Sequence, residues 1–232
     1  MNYLEDKDLG KIRLIPNTRS KSITARVKGD SLQISYPPYL KVADLEKAIL
    51  AMKPKLQKLK ERSTFITIFT PYTEFKTFSF KLVISENNCS NSYTQLKDGV
   101  LSITFPENTI YENLEIQKQI RSSVENAMRY EAKRLLPTKV KIFAQEHNFC
   151  FSEVKINKSR TRWGSCSSKK SINLSYYCML LPEYLADFII LHELCHTVEM
   201  NHGDNFWNLL NSVSQGKAKS LTAELKSFKT SL

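Results

Sequence analysis

His192-Glu193-Leu194-Cys195-His196, followed by Asn201-His202-Gly203, holds three of the four histidines in this chain of 232 residues. On an α-helix each residue advances about 100°, so positions four apart stand nearly above one another, one turn apart. His192 and His196 can therefore offer two imidazoles to one ion, with Glu193 beside the axis on which a water at that ion would lie. Zinc takes nitrogen ligands tetrahedrally at about 2.0–2.1 Å, and a catalytic site keeps its fourth position open. Two helical histidines leave one protein ligand missing, and a turn at Asn201-His202-Gly203 brings back His202 to supply it. The pattern predicts one Zn2+ per chain at a hydrolytic site.

The flanks favour a helix. From Pro182, suited to a first helical position, Tyr184, Phe188, Leu191, Cys195 and Val198 recur as an apolar stripe at helical spacing. Upstream stand three short strand candidates, Glu153–Ile156, Thr161–Cys166 and Ile172–Ser175, the last two joined by the polar turn Ser167-Ser168-Lys169-Lys170. Downstream, Asp204 is placed to cap a helix carrying Phe206, Trp207 and Leu210, and Leu221, Leu225 and Phe228 continue at helical spacing.

Further out, Leu114, Ile120, Val124, Met128 and Leu135 predict a helix over 111–135, which Pro137 is expected to part from a second one over Val140–Glu146. The first hundred residues read mostly as strand: Ile12–Ile15, Ile23–Val27, Leu32–Tyr36, Thr64–Phe69, Thr77–Ile84 and Val100–Phe105, with turns at Gly29-Asp30 and Asp98-Gly99. One helix, Val42–Leu59, interrupts them, and Pro54 is expected to bend or divide it. Glu86–Thr94, rich in Asn and Ser, reads as a loop. The change of character after Pro106 predicts a domain boundary near residue 110.

Composition fits a globular chain: 41% of residues are apolar and 25% charged. The N-terminal residues lack the apolar run of a secretory signal, and nothing approaches a membrane span of about 20 residues. Five cysteines with no CxxC pair argue against a disulfide framework, so a reducing cytoplasm is the expected location. The net charge of +11 divides almost evenly at residue 110, with 17 basic and 11 acidic residues before it and 17 and 12 after. Locally, Lys155, Lys158, Arg160, Arg162, Lys169 and Lys170 occur with no acidic residue among 155–170. That hairpin also holds Trp163-Gly164-Ser165, where a glycine allows another backbone to come close. As an edge strand, Thr161–Cys166 could pair with an extended peptide; alternatively Arg160 and Arg162 could grip the phosphates of a nucleotide.

Arg162-Trp163-Gly164-Ser165-Cys166-Ser167, Ile172-Asn173-Leu174, the His192–His196 motif, Asn201-His202 and Phe206-Trp207 together closely resemble the YgjP-like metallopeptidases, relatives of the SprT-like and other zincin peptidases. Thr18–Val27 resembles that family's opening strands. The resemblance implies a zincin-like α+β catalytic half, with the metal on His192, His196 and His202 and with Glu193 as the catalytic carboxylate. The spacing from His192 to His202 equals that of metzincins, but Glu199 stands where they have glycine and no Met-turn follows.

The expected fold is thus α+β: a β-rich domain with one helix over 1–110, then a catalytic domain over 111–232 with the His192–His196 helix packed on a small sheet. The expected activity is zinc-dependent cleavage of extended peptide chains, Glu193 taking the proton of the attacking water. Phosphoanhydride hydrolysis of a nucleotide and a nucleic-acid-associated zinc protein are the alternatives. Arg160, Arg162, Trp163, Gly164 and Ser165 are the candidate substrate contacts. Tyr176, Tyr177, Arg160 and Arg162 are candidates to assist the oxyanion, and the carboxylates of Glu199 and Asp204 to orient the histidines.

Overall fold

The computed structural model describes residues 3–28, 31–64 and 68–228. The expected Gly29-Asp30 turn, and residues 65–67 of the strand expected at Thr64–Phe69, lie outside the described residues; Thr64 itself ends a helix. The chain is a mixed α+β structure with a β-rich N-terminal region, as its patterning implies, and it divides into two compact units, residues 1–67 and 68–232.

In the first unit β1 (Tyr3–Asp6), β2 (Gly10–Pro16), β3 (Thr24–Lys28) and β4 (Ser31–Tyr36) form a four-stranded sheet in the order β1-β2-β4-β3. Strand residues alternate between the two faces of a sheet, so Ile12, Leu14, Leu32 and Ile34 meet Leu45, Ile49 and Leu56 of α1 (Val42–Thr64) in one buried cluster. Pro54 neither divides nor ends α1, contrary to expectation.

The second unit carries β5 (Lys81–Asn87), β6 (Tyr93–Lys97) and β7 (Val100–Pro106) as a sheet in the order β5-β7-β6. The Asp98-Gly99 turn forms as read: both residues take positive φ, 49° and 72°, which closes a two-residue hairpin between Lys97 and Val100. Leu82, Ile84, Leu101, Ile103 and Phe105 share one core with the elements that follow, so residue 110 falls inside this unit. Divided at 67, the charge is uneven: 14 basic and 7 acidic residues in the first unit, 20 and 16 in the second.

One helix, α2 (Leu114–Glu146), runs unbroken through Pro137. A proline inside a helix removes one hydrogen bond and costs about 3 kcal/mol. Here the residues on both sides, Ala132, Leu136 and Val140, are wholly buried, and each large apolar side chain so buried returns about 1.5–3 kcal/mol. Packing therefore outweighs the break. Asn113 caps the helix by accepting from the Glu115 N–H, and buried Gln117 donates to the carbonyls of Phe69 and Tyr111 while accepting from the Phe69 N–H.

The third sheet positions the motif. β8 (Glu153–Asn157), β9 (Gly164–Cys166) and β10 (Ser171–Ser175) lie in the order β8-β10-β9, with β9 antiparallel to β10 and, among the described residues, unpaired on its other side. α3 (Glu183–Cys195) packs on β9 and β10, followed by α4 (Asp204–Val213) and α5 (Ala218–Leu225). Leu185, Ala186, Phe188, Ile189, Ile190, Leu191, Leu194 and Cys195 are all buried, so α3 is a core helix covered nearly all round. The single stripe expected from Tyr184 to Val198 is not what it presents: those two residues are exposed. Pro182 and Gly203 take the capping positions of α3 and α4, and Asp204 is the first helical residue of α4. Among the described residues no helix is long and apolar enough to cross a membrane.

Candidate metal centre

His192 sits in the last turn of α3, and His196 caps that helix with helical dihedrals, φ −65° and ψ −15°. The turn spacing read from sequence is thus realised. A short connection then returns the chain so that His202 stands just before α4. The Nε2 atoms of His196 and His202 each lie 3.2 Å from Nε2 of His192, and the three ligand atoms all fall within 4.8 Å of one another. Two nitrogens bonded tetrahedrally to one zinc at 2.0–2.1 Å would stand about 3.3 Å apart. The two distances to His192 are close to that spacing, and the group could hold a metal ion.

The His196 tautomer agrees. Nδ1 of His196 lies 3.0 Å from the Glu199 carbonyl, which can only accept, so Nδ1 carries the hydrogen and Nε2 keeps its lone pair turned to the other histidines. The orienting group is thus the backbone of Glu199, not its carboxylate as expected. Phe206, wholly buried, lies face to face with the His196 ring at 4.5 Å and 24°, and edge-on to His192 and His202 at 4.9 and 4.6 Å. One phenylalanine therefore fixes all three imidazole planes. Burial holds His192 down at about 3, with the charges of His196 and His202 adding to the effect, and burial likewise lowers His196. Neutral imidazoles are the form that binds metal.

Glu193 is buried, and its Oε2 has no hydrogen-bond partner among the described residues. Burial raises its carboxyl to about 8, partly opposed by the charge of Arg162. Across from it lies Gly164 in the edge strand β9. A Cβ there would stand 2.6 Å from Glu193 Oε1 and 2.7 Å from its Cγ. The close approach expected at this glycine is real, but the neighbour is the Glu193 side chain rather than another backbone.

The other sequence candidates separate into two places. Arg162, Trp163 and Gly164 line one cavity with His192 and Glu193. Ser165 pairs with Asn173 in the sheet and does not line that cavity. Arg160 is held elsewhere, donating to the Tyr177 hydroxyl at 2.7 Å and to Glu125 of α2 at 2.7 Å. Lys158 pairs with the same carboxylate, and Lys155 pairs with Glu153. Three of the six cations of the 155–170 segment are thus matched by acids from outside it, and that segment is not a hairpin, since β10 lies between β8 and β9. Tyr177 donates to Glu125 as well, and Tyr176 lies against Tyr177. Of the four oxyanion candidates, only Arg162 shares the cavity with Glu193. Cys166 has its thiol raised by burial, with Glu193 adding, which suits packing better than nucleophilic attack.

Sequence reasoning missed Phe206 as the floor under the three rings, and missed Phe188, Ile189, Thr222 and Leu225 as the remaining wall of the cavity. Phe206 carried a usable signal, four residues beyond His202. The α5 residues carried none.

The family model described as YgjP-like, metallopeptidase domain, matches residues 21–228. Among solved structures, the metallopeptidase zymogen of Pyrococcus abyssi abylysin is similar at 21% identity over 39% of this chain and 90% of that one, with a TM-score of 0.36. The zymogen of Methanocaldococcus jannaschii jannalysin is similar at 26% identity over 39% and 92%, with a TM-score of 0.35. No curated protein matches. The family match takes in α1, all three histidines, Glu193 and the Trp163-Gly164 strand, and the chain belongs to the YgjP-like metallopeptidase family.

Proposed function

We infer that this chain is a zinc-dependent peptidase that cleaves extended peptide chains, with His192, His196 and His202 holding one zinc ion and Glu193 acting as general base. The observation that carries this is the convergence of three imidazole nitrogens, 3.2 Å from His192 to each of the others, beside a buried carboxylate with an unpartnered oxygen. A structural site has no use for such a carboxylate. Zinc, when bound, supplies Lewis acidity that lowers the pKa of water from 15.7 towards about 7 and polarises a carbonyl oxygen.

Glu193 takes the proton of the attacking water at Oε2 and returns it to the leaving amine. Gly164 keeps the space in which that carboxylate stands. Arg162, which lines the same cavity and whose charge acts on Glu193, is the cation offered to developing negative charge. The open side of β9 offers N–H and C=O groups to a peptide backbone, which presents the scissile bond with little regard to sequence. The nucleotide alternative gains nothing here, because Arg160, one of its two phosphate grips, is engaged with Glu125 and Tyr177.

The test is cleavage of denatured casein by protein loaded with one equivalent of zinc, beside hydrolysis of nucleoside triphosphates and a chelated control. Casein cleavage that chelation removes and zinc restores supports the reading. Triphosphate hydrolysis without peptide cleavage would overturn it.

A further inference from the structure

A cavity of about 250 Å³ opens directly beside Glu193 and His192, and most of its lining is apolar: Trp163 from the strand side, Phe188 and Ile189 from α3, and Leu225 from α5. The remaining wall is Thr222, one turn before Leu225, whose hydroxyl donates to the Ala218 carbonyl at 2.7 Å. That hydrogen is engaged within the helix and is not offered to the cavity. Arg162 lines the cavity too but is itself exposed, so its charge stands at the solvent side. α5 is held in place by wholly buried Ala218 and by a hydrogen bond from Tyr184 of α3 to Glu224.

We propose that this cavity takes an apolar side chain, of leucine to phenylalanine size, from the peptide residue next to the bond that is cut. The inference rests on the peptidase reading above and adds to it a substrate class and the residues that select it. Three features carry it. The cavity adjoins the general base, so a side chain filling it belongs to a residue flanking the scissile bond. Apart from His192 and Glu193, whose polar atoms serve the reaction, and the exposed Arg162, its side chains are apolar or, at Thr222, have their hydrogen engaged, and burying an unpaired polar group is unfavourable. The exposed Arg162 repels lysine and arginine. The C-terminal helix, remote in sequence from the His192–His196 motif, thereby becomes part of the substrate site.

The experiment uses the full zinc-loaded chain with a peptide library randomised around one position, cleavage sites being read by mass spectrometry. Leu, Ile, Met or Phe is expected at one fixed place beside the cut. In the best peptide, replacing that residue by glycine should lower kcat/KM at least tenfold, since one methylene in such a pocket is worth about 10–200-fold. Leu225→Trp, which fills the cavity, should move the preference to alanine and glycine; Leu225→Ala should move it to phenylalanine and tryptophan. Leu225 is only half-buried, and Leu225→Ala alone decides the matter should the tryptophan variant misfold. Cleavage with no fixed apolar residue, a preference for acidic residues, or an unchanged preference in Leu225→Ala would overturn the pocket assignment and leave the peptidase reading intact. No cleavage of any peptide by the zinc-loaded parent would overturn both.

Discussion

Gly164 and Glu193 occupy mutually exclusive space: a Cβ on residue 164 would lie 2.6 Å from the Glu193 carboxylate oxygen and 2.7 Å from its Cγ. The obstructed atoms include Cγ as well as the carboxylate of a buried side chain, so in Gly164→Ala the whole Glu193 side chain must shift. Zinc content should stay near the parent's while kcat falls by about two orders of magnitude, as misplacement of a catalytic group by about 1 Å does. Kinetics on dialysed, metal-analysed protein check this. Parent-like kcat would show that Glu193 does not need the vacancy at 164.

His202 is the exposed member of the three histidines and the one supplied from outside α3. His202→Ala should leave α3 intact but weaken zinc retention markedly, read by competition with a chromophoric chelator. Stoichiometric zinc that survives dialysis as it does in the parent would remove His202 from the site.

Phe206 touches all three rings and is wholly buried. Phe206→Ala should cost about 3–5 kcal/mol in denaturant unfolding. It should also loosen zinc by about 10–100-fold, the scale on which groups behind the ligands act. Phe206→Leu, which keeps most of the volume, should restore stability more fully than zinc affinity. Equal recovery of both would mean that Phe206 merely fills space.

What the sequence revealed and what it hid follow from chemistry. The His192–His196 pair was legible because helical spacing alone stacks those two side chains, and His202 because a turn had few other places to go. The hairpin at Asp98-Gly99 was legible for the same local reason. By contrast, the break expected at Pro137 ignored tertiary packing: three wholly buried neighbours hold α2 together across it. β6 was not read as a strand, its first two residues falling in the expected Glu86–Thr94 loop, because its five residues show only one partly buried position and no alternation marks it. The Glu199 contact was unreadable in principle, since every residue has a carbonyl and no side chain announces its use. Arg160 was misjudged because Glu125, its partner, lies 35 residues away in α2.

Glu125 gathers Lys158, Arg160 and Tyr177. Burial by itself raises the Glu125 carboxyl, but the hydrogen bonds from Lys158, Tyr177 and Arg160 and the charge of Lys158 outweigh it and hold the group below its ordinary 4.5. A depressed carboxyl contributes stability that is fully present above the unfolded-state value and is lost as pH falls through the lower folded-state one. Unfolding free energy should therefore drop in acid below pH 4.5. Glu125→Gln should be less stable at neutral pH and show a shallower acid decline. A parallel decline in parent and variant would remove Glu125 as its source.

The general-base role of Glu193 is tested most directly by Glu193→Gln, which keeps shape and volume but cannot accept a proton. The account predicts a folded protein that retains one zinc per chain and cleaves denatured casein about 10²–10⁴-fold more slowly than the parent. Near-parent turnover with the zinc still bound would contradict it.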